Sequence, residues 1–217
     1  MIRLIAAGAT VAAIAGLGAT WYISQSGDGD QFAQCRATVV AGAPEIGGPF
    51  ELVNETGQTV TEKEVITEAS LIYFGYTFCP DVCPLDVTRN AEAIDVLQER
   101  GVSSTPVFIS IDPERDTPEV IGDYAENMHE KMIGLTGSLE QVDAASKAYK
   151  TYYKRHPGDP DYYLVDHSTF SYLVLPEHGF VEFFRRDQPA EAVANTCLLY
   201  TSPSPRDLST SRMPSSA

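Results

Sequence analysis

The stretch 71–84, LIYFGYTFCPDVCP, constrains this chain most: an apolar run stops and Cys79 and Cys83 follow, four positions apart. A continuous apolar run bounded by turn residues reads as a buried strand. Pro80 and Pro84 suit a first helical turn and little else in a helix, so the residues after the strand read as a turn opening a helix. Two thiols delivered from a strand end to a helix start are held in a defined place. Chemistry is to be sought there.

The flanking segments supply layers around that junction. Residues 50–53 and 58–60 read as a hairpin around 54–57, with Gly57 supplying the positive φ of its turn. Residues 86–100 form a helix whose Val87, Ala91, Ile94 and Leu97 fall on one side, and Gly101 ends it. TPVFISI, 105–111, is a second continuous apolar strand, of the kind buried on both faces of a parallel sheet. Asp116, Thr117 and Pro118 start a helix reaching about His129, and 133–136 is a short strand. Ser138 with Gln141 makes a capping box for a helix ending near Ala148. Residues 162–165 and 169–175 are extended, 176–179 turn, and 180–185 return as a hairpin partner. Pro189 starts a last helix, 190–195. This order gives an α/β domain with a central mixed sheet flanked by helices. A strand running into CxxxC at a helix start, closed by an antiparallel hairpin, resembles the thioredoxin fold.

With 217 residues, 43% of them hydrophobic, one well-cored domain plus appendages is expected. The formal charge of −15 repels nucleic acid and anionic membrane surfaces and argues against them as partners. No charge falls between Leu4 and Ile23, and ~20 helical residues span the ~30 Å core of a bilayer. Arg3 before this segment and Asp28 and Asp30 after it put the N-terminus in the cytoplasm and the body outside. A cleaved signal peptide is the alternative. The lack of a small-x-small site, and the Trp21 and Tyr22 that end the run, favour a retained transmembrane helix, 1–23. Residues 24–45 form a tether of small and polar residues. Polar residues 24–34 separate its Cys35 from the apolar run, unlike a lipid attachment site, so Cys35 reads as a spare or intermolecularly paired thiol. The folded domain is then 46–195. From Thr196 onward Ser, Thr and Pro dominate, and 196–217 reads as a disordered, non-native tail.

Four cysteines at uneven spacing suggest neither a disulfide framework nor a structural zinc motif. An i, i+4 pair on a helix has Cβ atoms ~5–6 Å apart, whereas a disulfide wants ~3.8 Å. Oxidation of Cys79 and Cys83 therefore needs distortion, and a metal bridging both sulfurs does not. A helix N-terminus lowers thiol pKa, which serves metal binding and thiol exchange alike. The spacing permits both and leans to metal. A structural disulfide over so short a loop would remove little chain entropy. A thiol peroxidase would need one dominant low-pKa cysteine, an asymmetry not visible in the sequence. Sulfur with imidazole is a ligand set suited to copper. His129 on a helix back, and His156 and His178 in loops, read as solvated surface histidines. His167, in VDHSTFSYLVLP, lies between extended segments beside a strand that can pack near the cysteines, and a structural role is as open as a ligand role.

FGYTFCPDVCPLD, FISIDPERDTPE, IGLTGS and YLVDHS, in this order and at these separations, resemble the Sco/SenC family of membrane-anchored, thioredoxin-like copper chaperones over about 47–194. The resemblance implies a copper ion held by Cys79, Cys83 and His167, with Asp166 supporting the ligands or docking a partner. It implies a metallochaperone that delivers copper to, or reduces the cysteines of, the binuclear copper site of cytochrome c oxidase. The partners would be the copper-bearing subunit of that oxidase and other copper carriers. The location would be the inner membrane, single-pass, with the domain facing the periplasm. The competing reading is an enzyme, a thiol-disulfide oxidoreductase in which Cys79 and Cys83 are catalytic and no copper takes part.

Overall fold

Two fully buried strands, β3 (Ala69–Gly75) and β4 (Ser104–Ser110), pair in parallel from Ala69 opposite Ser104 to Gly75 opposite Ser110. Cover on both faces explains their continuous rather than alternating apolar pattern. The computed structural model describes residues 46–159 and 162–201. β5 (Ile133–Thr136) extends the sheet in parallel beside β4, and the hairpin of β1 (Glu51–Asn54) and β2 (Thr59–Thr61) joins it antiparallel through β1. On the other side, β8 (Ser171–Leu175) runs antiparallel to β3, with β9 (Gly179–Phe184) outermost. The order β2-β1-β5-β4-β3-β8-β9 is the expected mixed sheet. Its helices are the one-turn α1 (Glu62–Val65), α2 (Val82–Glu99), α3 (Pro118–Met128), α4 (Leu139–Ala148) and α5 (Ala190–Thr201). The architecture is thioredoxin-like.

Several local signals act as read. Gly101, at φ +79°, ends α2 with paired bonds from its own N–H to the Gln98 carbonyl and from the Val102 N–H to the Leu97 carbonyl. Thr117 caps α3 with Pro118 behind it, and Ser138 and Gln141 form their reciprocal box on α4.

Three expectations need correction. α2 starts at Val82, not Asp86, since Pro84 in its first turn lacks only a donor that the turn leaves unused. Instead of an extended 162–165, a small ribbon pairs β6 (Tyr153–Arg155) with β7 (Val165–His167), His167 opposite Tyr153. Finally, α5 does not stop near Asn195. It runs to Thr201, packs on α2, and buries Cys197 and Tyr200. Residues 196–201 therefore belong to the folded domain. The remainder of the expected tail, the expected membrane segment 1–23, and the tether with Cys35 lie outside the described residues. Among the described residues no helix is long and apolar enough to cross a membrane.

The topology gathers three segments at one sheet edge. β3 and β4 end side by side, with the Ile111 N–H on the Gly75 carbonyl at 2.8 Å. β8, being antiparallel, begins there, with Ser171 opposite Tyr73. The ribbon that feeds β8 arrives at the same carboxyl end of the parallel strands, where open α/β sheets hold their ligands.

Candidate metal centre

Cys79 sits in the loop between β3 and α2, its N–H on the Tyr76 carbonyl at 3.2 Å. Cys83 is the second residue of α2, and its N–H points at the Cys79 sulfur at 3.5 Å. The pair is thus loop and helix, not two turns of one helix, so the helical spacing expected for it does not apply. Both are free thiols, 7% and 1% exposed. Gly75 makes room for the second sulfur: a Cβ there would stand 3.0 Å from Cys83 Sγ, 2.9 Å from Tyr73 Cε1 and 3.0 Å from Phe108 Cε2.

The last residue of β7, His167, turns its Nε2 to within 3.3 Å of Cys83 Sγ. Its Nδ1 lies 2.8 Å from the Ser168 carbonyl oxygen. A carbonyl can only accept, so Nδ1 carries the proton and the Nε2 lone pair faces the thiols. The ring stands edge-on to Tyr73 and Tyr76, at centroid distances of 6.1 and 5.9 Å. Tyr73 is held in turn by donating to Asp86 Oδ2 at 3.0 Å.

The two sulfurs and a ring nitrogen lie within 4.8 Å of one another and could hold a metal ion. In a trigonal site with zinc-like bonds of ~2.3 Å to sulfur and ~2.0 Å to nitrogen, a sulfur and the nitrogen would be ~3.7 Å apart. Small shifts close the group on one ion. Its donors, two sulfurs and one imidazole, are a soft set.

The thiols are not equivalent. Cys79 falls well below the ordinary thiol range, first because the Cys83 S–H donates to it, then through the N–H groups of Cys83 and Asp81, against burial. Cys83 rises because its S–H, kept by the sulfur, donates to Cys79 and because it is deeply buried. The thiolate is thus favoured on Cys79 and the proton on Cys83. No sequence signal shows this asymmetry, which arises from loop geometry.

Asp116, read as a helix starter, has a further task. Fully buried, its carboxylate accepts from the Thr77 N–H at 3.0 Å and from the hydroxyls of Thr77 and Ser110, each at 2.5 Å. It anchors the loop that leads into Cys79. Burial pushes its pKa above the ordinary carboxylate value, with the three hydrogen bonds opposing.

The other histidines lie apart. His129 is not solvated as expected: its ring is largely buried, with Nε2 3.2 Å from Asp95 and Nδ1 accepting from the Lys131 N–H. His156 is half exposed, 2.7 Å from Asp166. That pairing turns the Asp166 carboxylate to His156, and the Ser168 carbonyl is the group that orients His167. Cys197 is a core thiol pushed up to about 12 by burial.

A family model described as SCO1/SenC matches residues 39–201. The chain belongs to the SCO1/SenC family. Protein SenC of Rhodobacter capsulatus is 51% identical to this SCO1/SenC chain over 206 residues, 94% of this chain and 92% of SenC. The crystal structure of Arabidopsis thaliana ScoI with copper bound superposes with a TM-score of 0.68 at 41% identity, over 71% of this chain and 96% of that one. Yeast Sco1 with copper bound gives 0.69 at 34% identity, over 78% and 96%. Solved relatives of this SCO1/SenC protein thus carry copper on the same fold.

Proposed function

We propose that this protein is a copper-binding metallochaperone of cytochrome c oxidase assembly, with Cys79, Cys83 and His167 as its copper ligands. The observation that carries the reading is the convergence of these three donors within 4.8 Å at the carboxyl end of the central strands. The copper-bound relatives support the choice of metal. The copper ion is cargo. Cys79 offers a thiolate, Cys83 a thiol that loses its proton on binding, and His167 an imidazole already in the tautomer that leaves Nε2 free. Cys83 lies deeper than Cys79. An incoming ligand of an acceptor can then displace Cys79 or His167 first, which allows transfer by stepwise ligand exchange. The acceptor is the copper-bearing subunit of the oxidase, reached from an N-terminal anchor that holds the domain on the periplasmic side of the inner membrane.

The asymmetry of the thiols favours a second, compatible role: reduction of the acceptor's cysteines. The Cys79 thiolate attacks an acceptor disulfide, releasing one acceptor sulfur and forming a mixed disulfide. Cys83, losing its proton to the departing sulfur, then closes the Cys79–Cys83 bond and frees the second. Two thiols of this protein are oxidised and one acceptor disulfide is reduced.

Copper competition titrations on the reduced protein test the first role. Replacing an outer partner of a metal ligand costs ~10–100-fold in affinity, and His167→Ala, which removes a ligand, should cost at least as much. Wild-type affinity would remove the histidine from the site. Unchanged disulfide turnover by His167→Ala without copper would support the second role.

A further inference from the structure

The ribbon that brings His167 to the cysteines is not part of the seven-stranded sheet. Its hold on the cysteine loop comes from side chains. One tie is the Val165 N–H, which donates to the Tyr76 hydroxyl at 3.3 Å. A second, beside the His167 contacts already described and the pairing of Arg155 of β6 with Glu114, is built on Arg115, from the loop between β4 and α3. Its guanidinium carbon stands 3.6 Å from the ring centre of Tyr163, just before β7, and 4.8 Å from that of Phe78, just before Cys79. Arg155 of β6 covers the same Tyr163 ring at 3.7 Å. Two cations so close to one ring centre cannot share a face, so Tyr163 is sandwiched. Asp112 locks the arrangement, one oxygen accepting from Arg115 Nε and the other from the Tyr163 hydroxyl, both at 2.6 Å.

The Arg115 side chain is 11% exposed and its Nη2 finds no hydrogen-bond partner among the described residues. A buried donor left unpaired is destabilising. Stacking and the single bond to Asp112, not complete hydrogen bonding, therefore decide where the guanidinium lies. A planar cation can face two rings at once, which an ammonium cannot do.

We infer that Arg115 is a positioning residue for His167, pinning Tyr163 of the histidine-bearing ribbon to Phe78 of the cysteine-bearing loop. The inference rests on the ligand set proposed above. Arg115 acts through the ribbon: with it the imidazole is held at the sulfurs, and without it the ribbon parts from the loop while both cysteines stay in place.

The test is a double-mutant cycle on the reduced protein, with copper affinity read by competition in wild type, Arg115→Met, His167→Ala and the double variant. Arg115→Met should lower affinity roughly tenfold, and it should lower it no further once His167 is gone. Amide exchange on the metal-free protein gives a reading without copper: the Val165 N–H should exchange at least about tenfold faster in Arg115→Met, with β3 amides unchanged. Phe78→Ala, at a side chain 53% exposed, removes the stack from the loop side and should show the same non-additivity if Arg115→Met does not fold. Wild-type affinity in Arg115→Met, an additive loss in the double variant, or unaltered Val165 exchange would each overturn the role. Wild-type copper affinity in His167→Ala sinks the ligand set instead, and the Val165 exchange then decides the latch by itself.

Discussion

Cys83 Sγ and His167 Nε2 lie 3.3 Å apart although 84 positions separate them in the chain. The contact needs both kinds of strand pairing in one sheet. Parallel β3 and β4 put the cysteine loop and the Asp116 loop at one edge, and antiparallel β8 brings its incoming ribbon back to that edge. The donors are therefore gathered before any ion arrives, which lowers the ordering cost of binding.

Gly75 should be intolerant of even one methyl group. Overfilling a packed site costs ~1–3 kcal/mol, and here a Cβ would meet the Cys83 sulfur and two aromatic edges. Gly75→Ala is expected to lower the unfolding free energy by about that amount in urea titrations. It should also weaken copper binding, because Cys83 Sγ is the neighbour that must move. Wild-type copper affinity would mean that the sulfur's place does not depend on that space.

The depressed Cys79 pKa predicts an unusual pH profile. A free thiol with a pKa of about 8.5 loses most of its thiolate by pH 6. Cys79 should keep its reactivity toward iodoacetamide across that interval in the metal-free protein. Cys83→Ala removes the S–H that donates to Cys79, so the profile should move up toward the ordinary value. The linked stability has a definite sign: a folded-state pKa below the unfolded one adds stability above about pH 8.5, and that stability is lost as pH falls toward the folded value. Flat stability across that range in wild type would contradict the depressed pKa.

The elements that could be read from sequence are those whose causes are local. Gly101, the Thr117–Pro118 start and the Ser138–Gln141 box each act within a few residues, and the apolar runs of β3 and β4 announce burial by themselves. The CxxxC pair was visible for the same reason. His167 is reached only through the family resemblance, and the unequal thiols and the Asp116 anchor not at all, because each depends on partners brought together by the sheet: Asp116 bonds Thr77 from 39 positions away. α5 outlasts its expected end because the apolar residues 197–200 continue it, with Cys197 and Tyr200 buried, before the Ser- and Pro-rich stretch begins at Thr201.

Asp116→Asn should loosen the cysteine loop and change the pH dependence of stability. An amide keeps one acceptor but turns a donor toward the Thr77 N–H or the hydroxyls, which costs ~1–3 kcal/mol for each group left unpaired. Burial raises the wild-type carboxyl pKa. Such a group contributes stability below its unfolded value of about 3.9, and that contribution is lost as pH rises through the folded value. The difference between wild type and Asp116→Asn should accordingly shrink with rising pH across that window, as followed by urea midpoints. A difference that grows instead would mean that the three hydrogen bonds outweigh burial.

A chain stopped after Asn195 should be markedly less stable than one stopped after Thr201. The six residues between these ends include Cys197, wholly buried, and Tyr200, whose hydroxyl donates to the buried Glu182 at 3.2 Å. Burying a large apolar side chain contributes ~1.5–3 kcal/mol, and a hydrogen bond to a charged group ~1.5–3 kcal/mol. The shorter chain also removes one of the two donors to the buried Glu182, leaving the Phe183 N–H. The expected gap in unfolding free energy is about 3–5 kcal/mol, read from urea or thermal melts of the two chains. Because α5 packs on α2, whose first turn carries Cys83, the shorter chain should also hold copper less tightly at temperatures near its melting point. Equal stability of the two chains would show that α5 ends, in energetic terms, at Asn195.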